Sequence, residues 1–262
     1  MRTVPEALRA ELLKACRSRV PLVSALAFVV GVGAGGLFMF ILADPERARS
    51  MGLLGSKAQL VSGAADWPTF LAFLAQIVAV GGTPVFGLVA IWIFGREFSD
   101  GTAKDLLALP TARSTVVAAK FVLVAGWCLV LAAETYLLGL VVGAGLRLPG
   151  WSTPVALHGL AVLAAAAAMT VLLVTPFALA ASVFRGYLAA VGVMLGAVFA
   201  AQVVALLGYG GYFPWSVPAL AAGIAGPDAA PIGPAGVLLV LAVGAAGVAT
   251  TLAWWGRADQ DR

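Results

Sequence analysis

The sequence predicts an all-α polytopic membrane protein, with six membrane-spanning helices preceded by a short amphipathic helix, in a single transmembrane domain covering 1–262. Three observations lead there. First, 62% of the 262 residues are hydrophobic and only 11% are charged, against about 25% charged in ordinary soluble domains; mean hydropathy is +1.03. Second, the apolar residues form long unbroken runs rather than alternating with polar ones, so they read as helices and not as barrel strands. Third, backbone N–H and C=O groups in hydrocarbon must be paired internally, which a helix achieves within one segment.

The elements follow in order. Residues 5–19 place Leu8, Leu12 and Ala15 on one helical face, with Arg9, Glu11, Lys14 and Arg17 mostly elsewhere. That pattern suits a helix lying along the membrane surface; a plain positively charged anchor is the alternative. The charged stretch and the apolar run after it are both too long for a cleaved signal peptide. The spans are expected at Val20–Leu42, Thr69–Phe94, Val116–Leu146, Ala156–Val183, Tyr187–Leu207 and Pro234–Trp255. Each can cross ~30 Å of hydrocarbon at about 1.5 Å per residue. The second and third exceed that need and should tilt or project. Pro84 and Pro176, each after a threonine, should kink the second and fourth spans. Gly31/Gly35, Gly139/Gly143 and Gly192/Gly196 recur at the spacing that lets helices approach closely.

Charge sets the expected orientation. With the N-terminus in the cytoplasm, the inner side holds Arg2, Arg9, Lys14, Arg17, Arg19, Arg96, Lys104, Arg113, Lys120, Arg185, Arg257 and Arg262. The outer side holds Arg47, Arg49, Lys57 and Arg147. This bias predicts both termini inside a cytoplasmic (inner) membrane. It also accounts for the net charge of +4 without nucleic acid, because the basic residues are dispersed between the apolar runs.

Several function classes lack their residues. There is no GxxxxGK[ST] phosphate loop, no HExxH and no GxSxG, and His158 is the sole histidine. Cys16 and Cys128 form neither a disulfide framework nor a metal-ligand set. The expectation is therefore a non-catalytic chain that binds no metal or cofactor of its own. Glu134 is the one acid deep inside a span, with Gln76 and Gln202 as other intramembrane polar groups. A buried carboxyl there is a functional candidate, or a hydrogen-bonded structural group at a helix interface.

The most polar internal segment is the loop at 95–115. Thr102 can cap a short helix at Ala103–Leu109 that Pro110 ends. Leu106, Leu107 and Leu109 are apolar residues outside the bilayer, a cluster that a partner's hydrophobic cleft would explain. The run GREFSDGTAKDLLALPTARSTVVAAK resembles the corresponding loop of ABC-2-type permeases, bacterial exporters of the bacitracin, lantibiotic and copper-enzyme-maturation branch. Arg96-Glu97-Phe98, Gly101-Thr102, Leu106-Leu107, Leu109-Pro110, Arg113-Ser114 and Lys120 carry the resemblance. A second likeness is Tyr212–Leu220 in the outer segment 208–233, which reads as re-entrant or interfacial.

The resemblance implies a permease paired with a second copy or a paralogue and driven by two cytosolic ATPase subunits, which hold the ATP and Mg. Arg96, Glu97, Phe98, Asp100, Gly101, Thr102, Leu106, Leu107, Leu109, Pro110 and Arg113 would then form the coupling region. The helix at 5–19 would be the elbow beside it. Arg96 and Glu97 could instead pair within the chain, although ATPase contact is preferred. The family pairs along the first, second and fifth spans, so a substrate route at that seam would use Phe70, Phe73, Gln76, Phe86 and Gln202, with Glu134 as a further candidate. Those residues favour a hydrophobic or amphipathic cargo such as a drug, antimicrobial peptide or lipid. The competing reading is a secondary transporter or channel that works on an ion gradient through Glu134. A lipid-modifying enzyme lacks the paired acids and metal ligands it would need.

Overall fold

The computed structural model of the protein describes residues 4–52, 64–102, 112–226 and 232–257. All regular structure among them is helical. Six helices are long and apolar enough to cross a membrane: Val20–Ala43, Trp67–Ser99, Arg113–Gly145, Thr153–Val183, Leu188–Leu206 and Pro234–Arg257. They are numbered here as spans 1 to 6. The boundaries agree with the hydropathy pattern except at one end of span 2. There the helix runs on to Ser99 and carries Arg96, Glu97 and Phe98 in its last turn.

Span 2 is the hub and span 5 the periphery: 61% of the apolar window of span 2 is buried, against 17% for span 5. Small residues let the hub form. A Cβ on Gly143 would lie 2.6 Å from the Trp67 ring, so only glycine admits span 3 this close to the start of span 2. Gly139, on the same face, meets Leu74. Gly31 and Gly35 of span 1 face Ile77 and Phe73. The third expected pair behaves differently, because Gly192 and Gly196 face open space on span 5.

Both prolines mark breaks, each resolved in its own way. Pro84 lacks the N–H that Val80 O would accept, and one turn earlier the helix widens into a π segment at Ile77–Gly81. In span 4 the helix stops at Leu173 and restarts at Thr175. Two carbonyls lose their helical donors there. The Leu172 carbonyl faces Pro176, and the Phe177 N–H turns to Val174 O, 3.1 Å away. The Thr175 hydroxyl donates to Leu172 O at 2.8 Å, sharing its proton with Gly244 O at 3.0 Å. The Trp215 indole donates to Leu173 O at 3.2 Å. Side chains thus satisfy what the break exposes, as a non-aqueous surrounding requires.

Trp215 belongs to the outer segment. Two 3₁₀ turns, Gly210–Tyr212 and Pro214–Ser216, lead into a short helix at Val217–Ala221, which ends before Gly223 at φ +78. The segment folds into the bundle rather than over it. The Ser216 hydroxyl donates to Ala201 O of span 5 at 3.0 Å, and the Gln76 amide of span 2 reaches Ala222 O at 3.3 Å.

The N-terminal helix spans Val4–Cys16 and packs chiefly against span 3. Its buried stripe corrects the expected one. Glu11 and Ala15 are buried and Leu8 is half-buried, while Leu12 is 44% exposed. Both Leu8-Leu12-Ala15 and Leu8-Glu11-Ala15 are helical stripes. The second wins because a cation within the bundle is waiting for the acid.

Candidate functional site

That cation is Lys120. It enters span 3 two turns after Arg113, flanked by alanine and phenylalanine, and its side chain is 0% exposed. An ammonium has three N–H donors, and a dry environment requires all three to be used. Lys120 Nζ donates to Glu11 Oε2 at 2.9 Å, to Glu97 Oε1 at 3.2 Å and to the Ile93 carbonyl at 2.9 Å. Lys14 Nζ closes the ring, at 2.9 Å from both Glu11 Oε1 and Glu97 Oε1. The Thr102 hydroxyl caps the other Glu97 oxygen, Oε2, at 2.8 Å. Two acids and two ammonium groups cancel, so the cluster is neutral as a unit. It joins three elements that hydropathy alone treats as separate: the N-terminal helix, the end of span 2 and the start of span 3. Burial pulls the partly exposed Lys14 ammonium down, but the charges and hydrogen bonds of Glu11 and Glu97 outweigh it and leave its pKa above the ordinary value.

An aromatic collar extends this junction to span 6. Phe98 packs against Trp254 and Trp255, with ring centroids 5.9 and 5.7 Å apart. Arg113 Nη1 donates to Trp255 O at 3.2 Å, and the Trp255 indole donates to the Ser182 hydroxyl at 3.0 Å. Span 4 is thereby tied in as well. Arg96 lies over the Trp92 ring at 4.9 Å and within 3.8 Å of Asp100. Asp100 and the following Gly101, at φ +71, end the helix.

The residues expected to couple the chain to a partner therefore divide. Of the two readings of Glu97, the geometry supports pairing within the chain, since its carboxylate is 3% exposed and fully engaged. Phe98 and Arg113 also turn onto this chain. Asp100, Gly101 and Thr102 are exposed at the root of the loop. The expected helix at 103–109, with Leu106, Leu107, Leu109 and Pro110, lies outside the described residues. Glu11 and Lys14 read as ordinary polar-face residues in the sequence. The signal for Lys120 was a lysine within an apolar helix, which needs an acid within reach.

The expected substrate-route residues are not gathered into one channel. Phe70 and Phe86 are fully buried within the chain, Phe86 against Phe28 at 5.6 Å, so neither lines an open path here. Phe73 stacks on Phe38 at 5.4 Å. Gln76 is committed to Ala222. Gln202 lines a cavity of about 60 Å³ beside the π segment, with Ala79, Thr83 and Trp215. Glu134 lies on span 3 away from that cavity, half-exposed, with no hydrogen bond or ion pair among the described residues. No group of metal-ligating residues occurs among the described residues.

This architecture has relatives. A family model described as "ABC-2 family transporter protein" matches residues 7–201, from the N-terminal helix through most of span 5. The chain belongs to the ABC-2 transporter family. It is also 27% identical over 192 residues to the bacitracin transport permease protein of Bacillus licheniformis, covering 73% of this chain and 91% of that protein. The ABC-2 match includes the whole charge cluster and the 95–115 loop. It stops short of the outer segment, so the likeness noted at Tyr212–Leu220 lies beyond it. As an ABC-2 protein the chain is a multi-pass membrane transport permease, consistent with the missing catalytic motifs.

Proposed function

We propose that this permease is the membrane subunit of an ATP-driven exporter in the cytoplasmic membrane, with both termini cytoplasmic. Two separate ATPase subunits supply the ATP and Mg, and the short helix expected at 103–109 seats in them. The buried Glu11–Lys14–Glu97–Lys120 cluster is the observation that carries this reading. Closure of soluble subunits moves membrane helices only if the docked segment is rigidly rooted. The cluster and the tryptophan collar root both sides of the loop and bind the elbow helix to them. Force on the loop then tilts spans 2 and 3 together, with the π segment at Ile77–Gly81 as the compliant point of span 2.

A second permease copy or paralogue completes the transporter. The thinly buried span 5, whose Gly192 and Gly196 face open space, supports pairing along that side. The cargo is hydrophobic or amphipathic, and the relative named for bacitracin makes that peptide the first to test. The test is co-purification: tagged permease should bring down an ATPase, and Leu106→Asp with Leu107→Asp should abolish this while the helical content stays unchanged. Export that continues in membranes lacking any ATPase partner would overturn the proposal.

A further inference from the structure

A cleft of about 470 Å³ opens where span 3 ends and the chain turns toward span 4. Its volume is in the ~300–1,000 Å³ range of small-ligand sites. Leu140 and Ala144 of span 3 line it, with Arg147, Leu148 and Trp151 of the connection and Trp67 from the start of span 2. Trp67 and Leu148 are buried, while Arg147 and Trp151 are exposed, so the floor is apolar and the rim is charged and aromatic. The frame is firm. Trp67 meets Trp151 edge to face at 4.6 Å, and its N–H donates to Pro149 O at 3.0 Å. The cleft also lies away from the seam assigned to a second permease. Gly36 of span 1 faces Val142 and Leu146 of span 3. Residues two apart lie about 200° round a helix, so Leu140 and Ala144 look the other way.

Two details point to an occupant. First, Arg147 has φ +54, in the left-handed region. Its N–H donates to Ala144 O at 3.0 Å and that of Leu148 to Gly143 O at 3.2 Å, a helix ending that ordinarily uses glycine. A side chain is strained there. The negative end of the helix attracts a cation, but the last helical turn would serve that purpose with ordinary backbone. Nor does the fold use the guanidinium, which makes no side-chain hydrogen bond, ion pair or ring contact with a described residue. Asp66, which adjoins Gly150 of the same connection, is spent on the Thr69 N–H at 2.9 Å. Arg185, the other non-glycine residue at positive φ among the described residues, does have a partner.

Second, the cleft has the shape of a head group and the start of a tail. Leu140 lies seven residues before Arg147, about 10 Å along the helix. Leu137, one turn deeper, is exposed, so a chain leaving the floor runs on over lipid-facing surface. Tryptophan and arginine at the rim match head-group depth. A soluble anion would use the arginine alone, whereas an anion with a hydrocarbon tail uses the floor as well.

We propose that this cleft binds one anionic phospholipid of the leaflet at this end of the bundle, with its phosphate on Arg147 and an acyl chain along Ala144 and Leu140. The leaflet is the outer one under the orientation proposed above, but the binding chemistry does not depend on that.

Native mass spectrometry of the purified permease in detergent tests this, with phosphatidylglycerol, phosphatidylethanolamine and glycerol 3-phosphate as probes. One phosphatidylglycerol should be retained in preference to phosphatidylethanolamine, and glycerol 3-phosphate alone should not bind. Arg147→Gln should weaken retention about fivefold, the worth of one basic residue at an anionic surface. Arg47→Gln, exposed just after span 1 on the same side of the membrane, should leave it unchanged. Ala144→Trp fills the cleft and should remove the adduct, with circular dichroism checking the helical content. Arg147→Gly separates binding from folding. It relieves the left-handed backbone, so the lipid should be lost while the unfolding midpoint in lipid-free detergent holds or rises. A lower midpoint would assign the guanidinium to the fold and overturn the site. So would equal retention of the two phospholipids, binding of glycerol 3-phosphate alone, or equal losses with Arg147→Gln and Arg47→Gln. None of these readings depends on an ATPase, so failure here is separate from failure of the exporter proposal.

Discussion

Replacing Lys120 with methionine removes one ammonium from a site where two acids depend on it. Methionine keeps an unbranched apolar stem out to Cε and lacks only the terminal ammonium, so the change mainly reports on charge and hydrogen bonding. Three bonds disappear, to Glu11, Glu97 and Ile93 O. Lys14 alone must then balance two carboxylates that are almost wholly buried. Removing one partner of a buried ion pair costs about 3–5 kcal/mol, chiefly because the other charge is left without a partner. Lys14→Met should cost far less, about 1 kcal/mol, because that side chain is 32% exposed and water compensates its partners. Replacing all four charged residues by apolar ones of similar size should recover most of the loss, since no charge is then stranded. Equilibrium unfolding in mixed micelles gives the three values. If Lys120→Met lies within about 1 kcal/mol of the parent, the cluster is not the dry, interdependent unit inferred here. If the apolar quadruple variant recovers stability but not export, the charges serve position and motion rather than folding.

At the break in span 4, Thr175→Val and Trp215→Phe each strand a carbonyl, and each should lower stability by about 1–3 kcal/mol in the same unfolding assay. Gly143→Val should destabilise by about 1–3 kcal/mol through the clash with Trp67, and a Trp67→Leu second change should relieve part of it. Lys14 has a raised pKa, so its contribution is fully present below the ordinary lysine value of about 10.4 and is lost as pH climbs through the higher folded value. A nitroxide on Cys16 should therefore keep one mobility from pH 7 to about 10 and loosen only above it; loosening near pH 8 would contradict the ion pairing. Glu134→Gln should leave folding and cargo export unchanged, and a tenfold loss of export in vesicles would favour the ion-gradient mechanism instead.

The one-dimensional pattern was enough for the helical class, the six spans and the positions of both proline breaks. These follow from solvent physics, because the length of an apolar run and the absence of a proline N–H are properties of the chain itself. The loop expected at 95–115 is shorter than the hydropathy pattern suggests, because span 2 runs on to Ser99 and span 3 already begins at Arg113. Which groups meet was not legible in the sequence. Glu11, Glu97 and Lys120 are separated by 86 and 23 residues of sequence, and each alone passes for a surface charge or a topology signal. Only packing brings both carboxylates within 3.2 Å of the Lys120 ammonium and removes the water that would otherwise make the meeting weak. Leu12 and Glu11 exchanged their expected places for that reason: a helical face is chosen by what lies opposite it. Phe70 and Phe86 likewise looked like the wall of a route until packing buried them, Phe70 beside Gly35 of span 1 and Phe86 against Phe28.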